Sequence, residues 1–292
     1  MSDFKGNNLV VQSNKFVRQS YNNLKANEIK MFDIFVSCID TMHPRTKIEI
    51  TKTELLKAMG DSGENYTTTR DTLDSIFHKG FLIVDEKRTK AYHFIDSFEW
   101  YHDQDLIKVE FHKDIIPMLI ELKTCFLQYS FSDLNCLKSR YSMLLYKYIL
   151  SYIRQYNTLE LTITIEELRK FLNLKNKYSR FDNFDSRVLK VFEKEVNESK
   201  ALPYLVRYEK LGGKKVNAIR FLVRARTTNK ETKFLDIQNP IMSEELTNNL
   251  IKGNTPLEEI RDRQFKKIWE EQNGWTNTKR VERHIGSDYP FT

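Results

Sequence analysis

The alternation of apolar and polar positions in residues 161–222 predicts five short elements in a fixed order. Leu161–Thr164 alternates with a period of two, which indicates a strand, and Glu166–Leu172 has the spacing of a helix. A longer helix is predicted near Arg180–Asn197, followed by two strands joined at Gly212-Gly213-Lys214-Lys215. A strand, two helices and a strand pair in this order predict a winged helix-turn-helix domain.

The longer predicted helix has two distinct faces. Its apolar side chains recur every three or four positions and predict one buried face: Phe181, Phe184, Val188, Val191, Phe192 and Val196. The opposite face is polar and mostly basic: Arg180, Asn183, Arg187, Lys190 and Lys194. Ser179 is the predicted N-cap, with Asp182 three residues later.

Similar elements are predicted in the first half of the chain. Helical spacing is found in five segments: Asn27–Asp40, Thr53–Met59, Thr68–Lys79, Pro117–Leu122 and Ser139–Tyr156. Strand patterns are found in four: Lys47–Ile50, Phe81–Val84, Ala91–Phe98 and Leu106–Phe111. Thr68 and Asp71 are placed as a capping pair, and the charged link Asp85–Lys90 predicts a hairpin with a wing-like tip.

One segment of the chain is repeated. Ile48–Met59 aligns with Leu161–Leu172, 113 positions later, and five pairs of positions agree in residue type. Strand-then-helix segments can look alike by chance, but here two helices and a strand pair recur together, which favours duplication of one domain. The predicted fold is α+β, with two tandem winged helix-turn-helix domains at residues 1–136 and 137–228. Residues 229–292 are predicted to be a flexible tail with one short helix at Pro256–Asn273.

The net charge of +7 is located in the second predicted domain. Arg140–Arg226 contains 19 Lys and Arg residues against 9 Asp and Glu residues, a net charge of +10. Residues 1–138 contain 18 against 20, a net charge of −2. A basic domain next to a slightly acidic one indicates a polyanionic partner for the second domain.

Other classes of protein receive little support from the sequence. No run of about 18 apolar residues predicts a membrane span, and the polar N-terminus lacks the core of a signal peptide. Cys38, Cys125 and Cys136 lack metal-ligand spacing and are expected to be reduced thiols of a cytoplasmic protein. Neither a phosphate-binding loop nor a paired-histidine motif is present. We therefore expect no enzyme activity, no cofactor and no catalytic or structural metal.

The basic domain contains the candidate DNA-binding residues. The first turns of a recognition helix usually read base edges, which selects Asn183, Ser186 and Arg187 as base-reading candidates. Other basic or aromatic side chains precede or flank that helix and are candidates for phosphate contacts: Lys175, Lys177, Tyr178, Arg180 and Lys190. Lys214 and Lys215 would contact the backbone from the wing tip. The alternative is that these charges form only a solvated helix face.

The first domain is a weaker candidate for DNA binding. It offers Thr69 and Arg70 on its second helix and Arg88 in the predicted wing, but Asp71 and Asp74 on the same helix would repel phosphates. A domain of this shape with net acidic charge is also suited to pairing with a protein. Both roles could hold in different assembly states.

Several stretches resemble one family. Asn8–Asn14 and Leu24–Lys30 resemble the opening of plasmid replication initiator (Rep) proteins, which serve theta-type plasmids whose origins carry short direct repeats, or iterons. Leu137–Tyr148 resembles the long central helix of these proteins, and Tyr178–Leu189, continuing to Asn197, resembles their C-terminal recognition helix. The matches span roughly residues 7–225 and occur in the family's order.

The resemblance implies two winged-helix domains in a pseudo-twofold arrangement. It also implies a monomer that binds iterons with both domains and helps to open the origin. A dimer joined through the N-terminal domain would repress the initiator's own gene at an inverted repeat. The implied protein partners are the host replication initiator and the replicative helicase.

Two other functions remain open at the level of the sequence. One is a winged-helix transcriptional regulator, although such a protein usually has a single reading domain. The other is a chromosome-organising adaptor, whose tandem winged helices bind protein rather than DNA. The +10 charge of the second domain argues against the adaptor.

Overall fold

A computed structural model describes most of the first 226 residues: 2–4, 9–19, 23–39, 45–60, 65–84, 87–119, 126–174, 177–213 and 215–226. The predicted tail at 229–292, with its short helix, lies outside the described residues. None of the helices in the described part is both long and apolar enough to cross a membrane.

The first half of the chain contains six helices and seven strands among the described residues. The helices are α1 (Asn14–Gln19), α2 (Ala26–Ser37), α3 (Lys52–Met59), α4 (Tyr66–Phe77), α5 (Ile116–Leu119) and α6 (Phe131–Asn135). The strands are β1 (Leu9–Ser13), β2 (Lys47–Ile50), β3 (Gly80–Val84), β4 (Thr89–His93), β5 (Ile95–Trp100), β6 (Ile107–Phe111) and β7 (Phe126–Ser130).

The second half begins with the long helix α7 (Arg140–Tyr156). β8 (Glu160–Thr164) and α8 (Ile165–Phe171) follow. The next three segments run on as one helical element: α9 (Phe181–Phe184), a π-helical turn (Asp185–Leu189) and α10 (Lys190–Glu198). We call this element the composite helix. The described chain ends with the strand pair β9 (Tyr204–Leu211) and β10 (Ala218–Ala225).

Each half builds the same small antiparallel sheet. The first sheet has the order β2-β6-β5 and the second the order β8-β10-β9, so in both the first strand pairs with the last. Two helices lie between the first and second strands of each sheet in the sequence. This is the winged-helix topology, and it confirms the prediction of two tandem winged-helix domains in an α+β fold.

The internal repeat reflects the same helix start in both domains. Thr51 caps α3 by accepting from the Glu54 amide at 3.1 Å, while the Glu54 carboxylate accepts from the Thr51 amide at 3.2 Å. Thr164 and Glu167 form the same reciprocal pair at the start of α8, with both distances 3.2 Å. A capping box satisfies two amides that a helix start leaves without partners. The aligned Thr and Glu residues therefore cap the corresponding helix in each domain in the same way.

The wing of the first domain differs from the prediction. Topologically β5 and β6 are the counterparts of β9 and β10, whereas β3 and β4 form a separate two-stranded sheet. The predicted wing-like tip at Asp85–Lys90 therefore belongs to an extra hairpin. The single strand predicted at Ala91–Phe98 is broken at the fully buried Phe94, where the chain passes from one sheet to the other.

Two predicted helix starts are also wrong by a few residues. α4 begins at Tyr66 with Asn65 as its N-cap, so Thr68 lies inside the helix and does not cap it. The composite helix has Arg180 rather than Ser179 at its N-cap, without a capping side-chain hydrogen bond. Asn65 has φ −90° and ψ 43°, Arg180 has φ −73° and ψ 135°, and neither side chain caps its helix. A polar residue near a helix start therefore did not mark the N-cap in either case.

The strand pair β1–β7 has no counterpart in the sequence-based expectations. Leu9 is opposite Ser130 and Ser13 is opposite Phe126, so the pairing joins segments more than 110 residues apart. β1 and β7 each have alternating buried positions. Five residues of alternation are a weak local signal, and the partner strand that stabilises them is distant in the sequence.

A buried ion pair joins α7 to the first domain. The Lys147 ammonium lies 2.9 and 3.0 Å from the two carboxylate oxygens of Asp33 on α2, and both side chains are at most 1% exposed. Asp33 also accepts hydrogen bonds from Tyr129 at 2.7 Å and Gln12 at 3.0 Å. Burial lowers the pKa of Lys147 to about 8, even though Asp33 opposes that shift. The two charges thus have well-placed hydrogen-bond partners, but removing them from water costs free energy.

The same helix contacts several other elements along its length. Arg18 of α1 donates to the Ser151 hydroxyl and carbonyl, both at 3.0 Å, and lies over the Tyr152 ring. At the other end of α7, Arg140 donates to the carbonyl of Leu24 and, at 3.3 Å, to that of Leu172. One side chain on α7 therefore contacts the backbone of both domains.

Lys147→Met should lower the free energy of unfolding by about 3–5 kcal/mol, because it leaves the Asp33 carboxylate buried without its cation. Urea unfolding of the full chain, followed by circular dichroism, measures this loss.

A matched control is Lys47→Met, which breaks the 3.4 Å pair with Glu110 where the lysine side chain is 71% exposed. Surface pairs contribute about 0–1 kcal/mol, so this variant should be close to the wild type. If the two substitutions lowered the free energy of unfolding equally, the buried pair would contribute no more to stability than a surface pair.

Candidate nucleic-acid interface

The composite helix buries one face and exposes the other. Phe184, Val188, Phe192 and Val196 are fully buried, with the Phe192 ring packed edge-on against Phe221 of β10 at 6.0 Å. Phe181 and Val191, also predicted to be buried, are half-buried. The opposite face is exposed and carries Asn183, Ser186, Arg187, Lys190 and Lys194. The apolar stripe thus fixes which side chains point to solvent.

A π-helical turn changes the spacing in the middle of this helix. The Lys190 amide donates to the carbonyl of Asp185, five residues earlier, which widens the turn by one residue. As a result two neighbouring pairs are buried, Phe184-Asp185 and Val188-Leu189, and Ser186 and Arg187 lie together on the exposed side between them. The helical period used for the sequence prediction does not include such an extra residue.

Asp185 is a functional candidate that the sequence analysis missed. Its side chain is 7% exposed and accepts from the Tyr208 hydroxyl at 2.7 Å and from the Lys210 ammonium at 3.0 Å, both on β9. Lys190 on the composite helix lies 3.7 Å away. Burial and the hydrogen bond to Asp185 raise the pKa of Tyr208. The sequence signal for this residue was its place directly after Phe184, which belongs to the buried apolar face of the helix.

The turn before the composite helix is held by Arg169 of α8. Its guanidinium donates to the carbonyls of Tyr178 at 2.6 Å, Lys177 at 3.3 Å and Ser179 at 3.4 Å, and lies over the Phe184 ring. Tyr178 has a φ of 54°, which is unusual for a bulky residue. These contacts define the path of the chain into the helix.

The wing of the second domain is anchored to the same helix. The Asn197 side chain donates to the Val206 carbonyl at 2.8 Å and accepts from the Val206 amide at 2.9 Å. Arg226 donates to the carbonyls of Val196 and Asn197 at 3.1 and 2.8 Å, which satisfies the end of α10. The wing strands and the composite helix are therefore connected at two points, one near Asp185 and one near Asn197.

The structure places most of the predicted site residues on the surface of the second domain. Seven are exposed: Lys177, Arg180, Asn183, Ser186, Arg187, Lys190 and Lys215. Tyr178 is half-buried and packs edge-on against Tyr141. Lys175 and Lys214 lie outside the described residues.

The three candidates in the first domain are differently placed. Arg70 is exposed on α4, and Arg88 is exposed on the extra β3–β4 hairpin rather than on the wing of the three-stranded sheet. Thr69 is only 3% exposed, so its side chain is not presented at the surface. The loop that does occupy the wing position, between β5 and β6, carries Asp103 and Asp105.

The described part of the chain contains no cluster of three or more His, Cys, Asp or Glu side chains arranged to hold a metal. Cys38 and Cys136 are free thiols, and burial raises the pKa of Cys38.

The fold and this surface define a class: tandem winged-helix proteins in which the second domain presents a basic helix. Two family models match the chain, Initiator Replication protein WH1 at residues 9–150 and Initiator Rep protein WH2 at residues 164–223. The chain belongs to this family of plasmid replication initiators, as the sequence resemblance predicted.

Two individual proteins are similar to this chain. A replication initiation protein of Escherichia coli is 27% identical over 108 residues, which are 35% of this chain and 34% of that protein. The match therefore spans about a third of that relative. A crystal structure of the Pi initiator protein in complex with iteron DNA matches with a TM-score of 0.64 over 77% of this chain and 100% of that one. At 15% identity, the second match supports the fold.

Gly212→Ala should destabilise the wing by about 1–3 kcal/mol, because Gly212 has a φ of 132° and an added Cβ would lie 2.3 Å from the Lys215 carbonyl oxygen. The neighbouring Gly213→Ala is the control, since its Cβ would meet no atom within 4 Å. Thermal unfolding of both variants makes the comparison. An equal loss of stability in the two variants would show that the turn does not require glycine at position 212.

Proposed function

We propose that this protein is a plasmid replication initiator that binds iterons, direct repeats in the duplex DNA of its origin, through the composite helix. The observation that carries the proposal is the placement of Asn183, Ser186 and Arg187 together on the exposed face of a helix whose other face is buried. A helix presented in this way fits the major groove. Family membership, the +10 charge of Arg140–Arg226 and the iteron complex of the Pi initiator support the same conclusion.

Each side chain has a distinct role in this proposal. Arg187 pairs bidentately with a guanine and Asn183 with an adenine, while Ser186 contacts an adjacent base. Backbone phosphates are contacted from the turn, the helix start and the wing by Lys175, Lys177, Tyr178, Arg180, Lys190, Lys214 and Lys215. Phosphate contacts fix the register of the helix but carry no sequence information.

The first domain, residues 1–136, has a secondary role in DNA binding. Arg70 and Arg88 are its proposed phosphate contacts, and we leave out Thr69 because it is buried. The acidic side chains Asp103 and Asp105 at its wing position disfavour close approach of phosphates. We therefore assign dimerisation to this domain, and most of the DNA affinity to residues 137–228.

The further steps of initiation follow as part of the same proposal. Binding and bending of the DNA would supply the energy that opens the neighbouring AT-rich tract, without catalysis by this chain. The opened origin would then receive the host replication initiator and the replicative helicase. As a dimer, the protein would occupy an inverted repeat and repress its own gene. These steps take place in the cytoplasm.

Arg187→Ala should weaken binding to the iteron by about 1–3 kcal/mol while leaving binding to random duplex DNA nearly unchanged, because it removes one base contact. Fluorescence anisotropy with labelled iteron and random duplexes, at one fixed salt concentration, measures both affinities.

Lys194→Ala is the control for Arg187→Ala. Lys194 is exposed on the same helix, three turns from its start, and forms a surface pair with Glu198 at 3.9 Å. Its loss should weaken binding to the iteron and to the random duplex equally. An unchanged ratio of the two affinities in Arg187→Ala would show that the base-reading residues lie elsewhere.

Adding the protein to a supercoiled plasmid that carries its direct repeats should make thymines in the adjacent AT-rich tract reactive to permanganate. The same plasmid with scrambled repeats is the control. Binding to the repeats without any new reactivity would argue for a regulator that binds DNA but does not open it. Tighter binding to an inverted repeat than to direct repeats would also argue for a regulator.

A further inference from the structure

Asp185 lies between the composite helix and the wing, beside the surface assigned to DNA. We propose that Asp185 is a positioning residue that determines sequence specificity: its carboxylate fixes the composite helix against β9 and offsets part of the charge of two lysines next to the DNA. This inference rests on the proposed function and adds a residue that does not itself contact a base.

The first part of the argument is geometric. Tyr208 and Lys210 are two residues apart on β9, so their side chains leave the strand on the same face, and both reach Asp185. Asp185 opens the π-helical turn that places Ser186 and Arg187 side by side. The carboxylate therefore holds the base-reading residues at a fixed position relative to the wing. A helix that could rotate against its wing would bring Arg187 to several base edges instead of one.

The second part concerns charge. Lys210 lies 3.0 Å and Lys190 3.7 Å from the Asp185 carboxylate, while their own side chains are 43% and 65% exposed. Lysines paired in this way attract phosphates less strongly than unpaired ones. Attraction to phosphates is independent of sequence, so the pairing weakens binding to both kinds of duplex and lowers the salt dependence of that binding. Specificity is a difference between two affinities. The contacts of Asp185 with β9 therefore act on the affinity ratio, while its charge acts on the salt dependence of both affinities.

Asp185→Asn tests both parts in the full-length protein. The amide oxygen can still accept from Tyr208, but the negative charge is lost, and with it the ion pair to Lys210 that also holds the composite helix against β9. We expect the ratio of iteron to random-duplex affinity to fall about tenfold, the loss of roughly one base contact. We also expect the slope of log K against log salt for random DNA to become steeper by about one, since the loss of one carboxylate uncovers one positive charge and each additional phosphate contact contributes about 0.9.

Asp182→Asn is the matched control. Asp182 lies on the same helix and pairs with Arg180 at 3.6 Å, but its side chain is 83% exposed. The substitution removes the same charge from the surface without loosening the helix from the wing. The ratio of affinities should therefore stay at the wild-type value.

Tyr208→Phe separates the geometric part from the charge. It removes the 2.7 Å hydrogen bond but leaves Asp185, Lys190 and Lys210 in place. We expect a lower ratio of iteron to random-duplex affinity with an unchanged salt slope. If Asp185→Asn does not fold, Tyr208→Phe by itself tests the inference.

Three results would overturn the inference. They are a wild-type affinity ratio in Tyr208→Phe, a wild-type ratio or slope in folded Asp185→Asn, and a uniform loss of binding to all DNA without a steeper slope. The last would mean that Asp185 merely supports the fold. Failure of the proposed function itself would be visible separately, as a wild-type protein that does not prefer the iteron over random DNA.

Discussion

The buried pair of Lys147 and Asp33 is the interaction on which the arrangement of the first domain and the long helix α7 depends. Two opposite charges without access to water require each other, because either one alone would be left unsolvated in an apolar interior. Tyr129 and Gln12 complete the set of hydrogen bonds around Asp33 and bring the β1–β7 strand pair into the same cluster.

From this fixed position α7 connects to the candidate interface. The carboxylate of Glu195, on the composite helix, accepts hydrogen bonds from the amides of Lys138 and Ser139 at the start of α7, each at 3.1 Å. A carboxylate at a helix N-terminus is favourable because the free amides there carry partial positive charge. The composite helix is therefore held at Asp185 by the wing and at Glu195 by α7. Its orientation depends on β9 and on α7, and α7 is in turn joined to the first domain by the pair of Lys147 and Asp33.

The two domains share a fold but not a surface. The capping boxes of Thr51 and Thr164, the order of strands and the two helices are repeated, because these features are needed to build the core of a winged-helix domain. Charge is not needed for the core and has diverged. The second domain carries the excess of lysine and arginine, while the first has acidic side chains at its wing position and an extra hairpin. A common scaffold with different charge is consistent with a division between DNA binding and assembly.

The sequence by itself determined the main helices, the two winged-helix domains and the exposed face with Arg187, since these follow from residues within a few positions of each other. The tertiary structure alone decided four features: the β1–β7 pairing, the extra β3–β4 hairpin, the burial of Thr69 and the inward direction of Asp185. Each depends on a partner that local spacing does not reveal. A polar residue is buried only where distant groups satisfy its hydrogen bonds, and a strand forms only where another strand lies beside it.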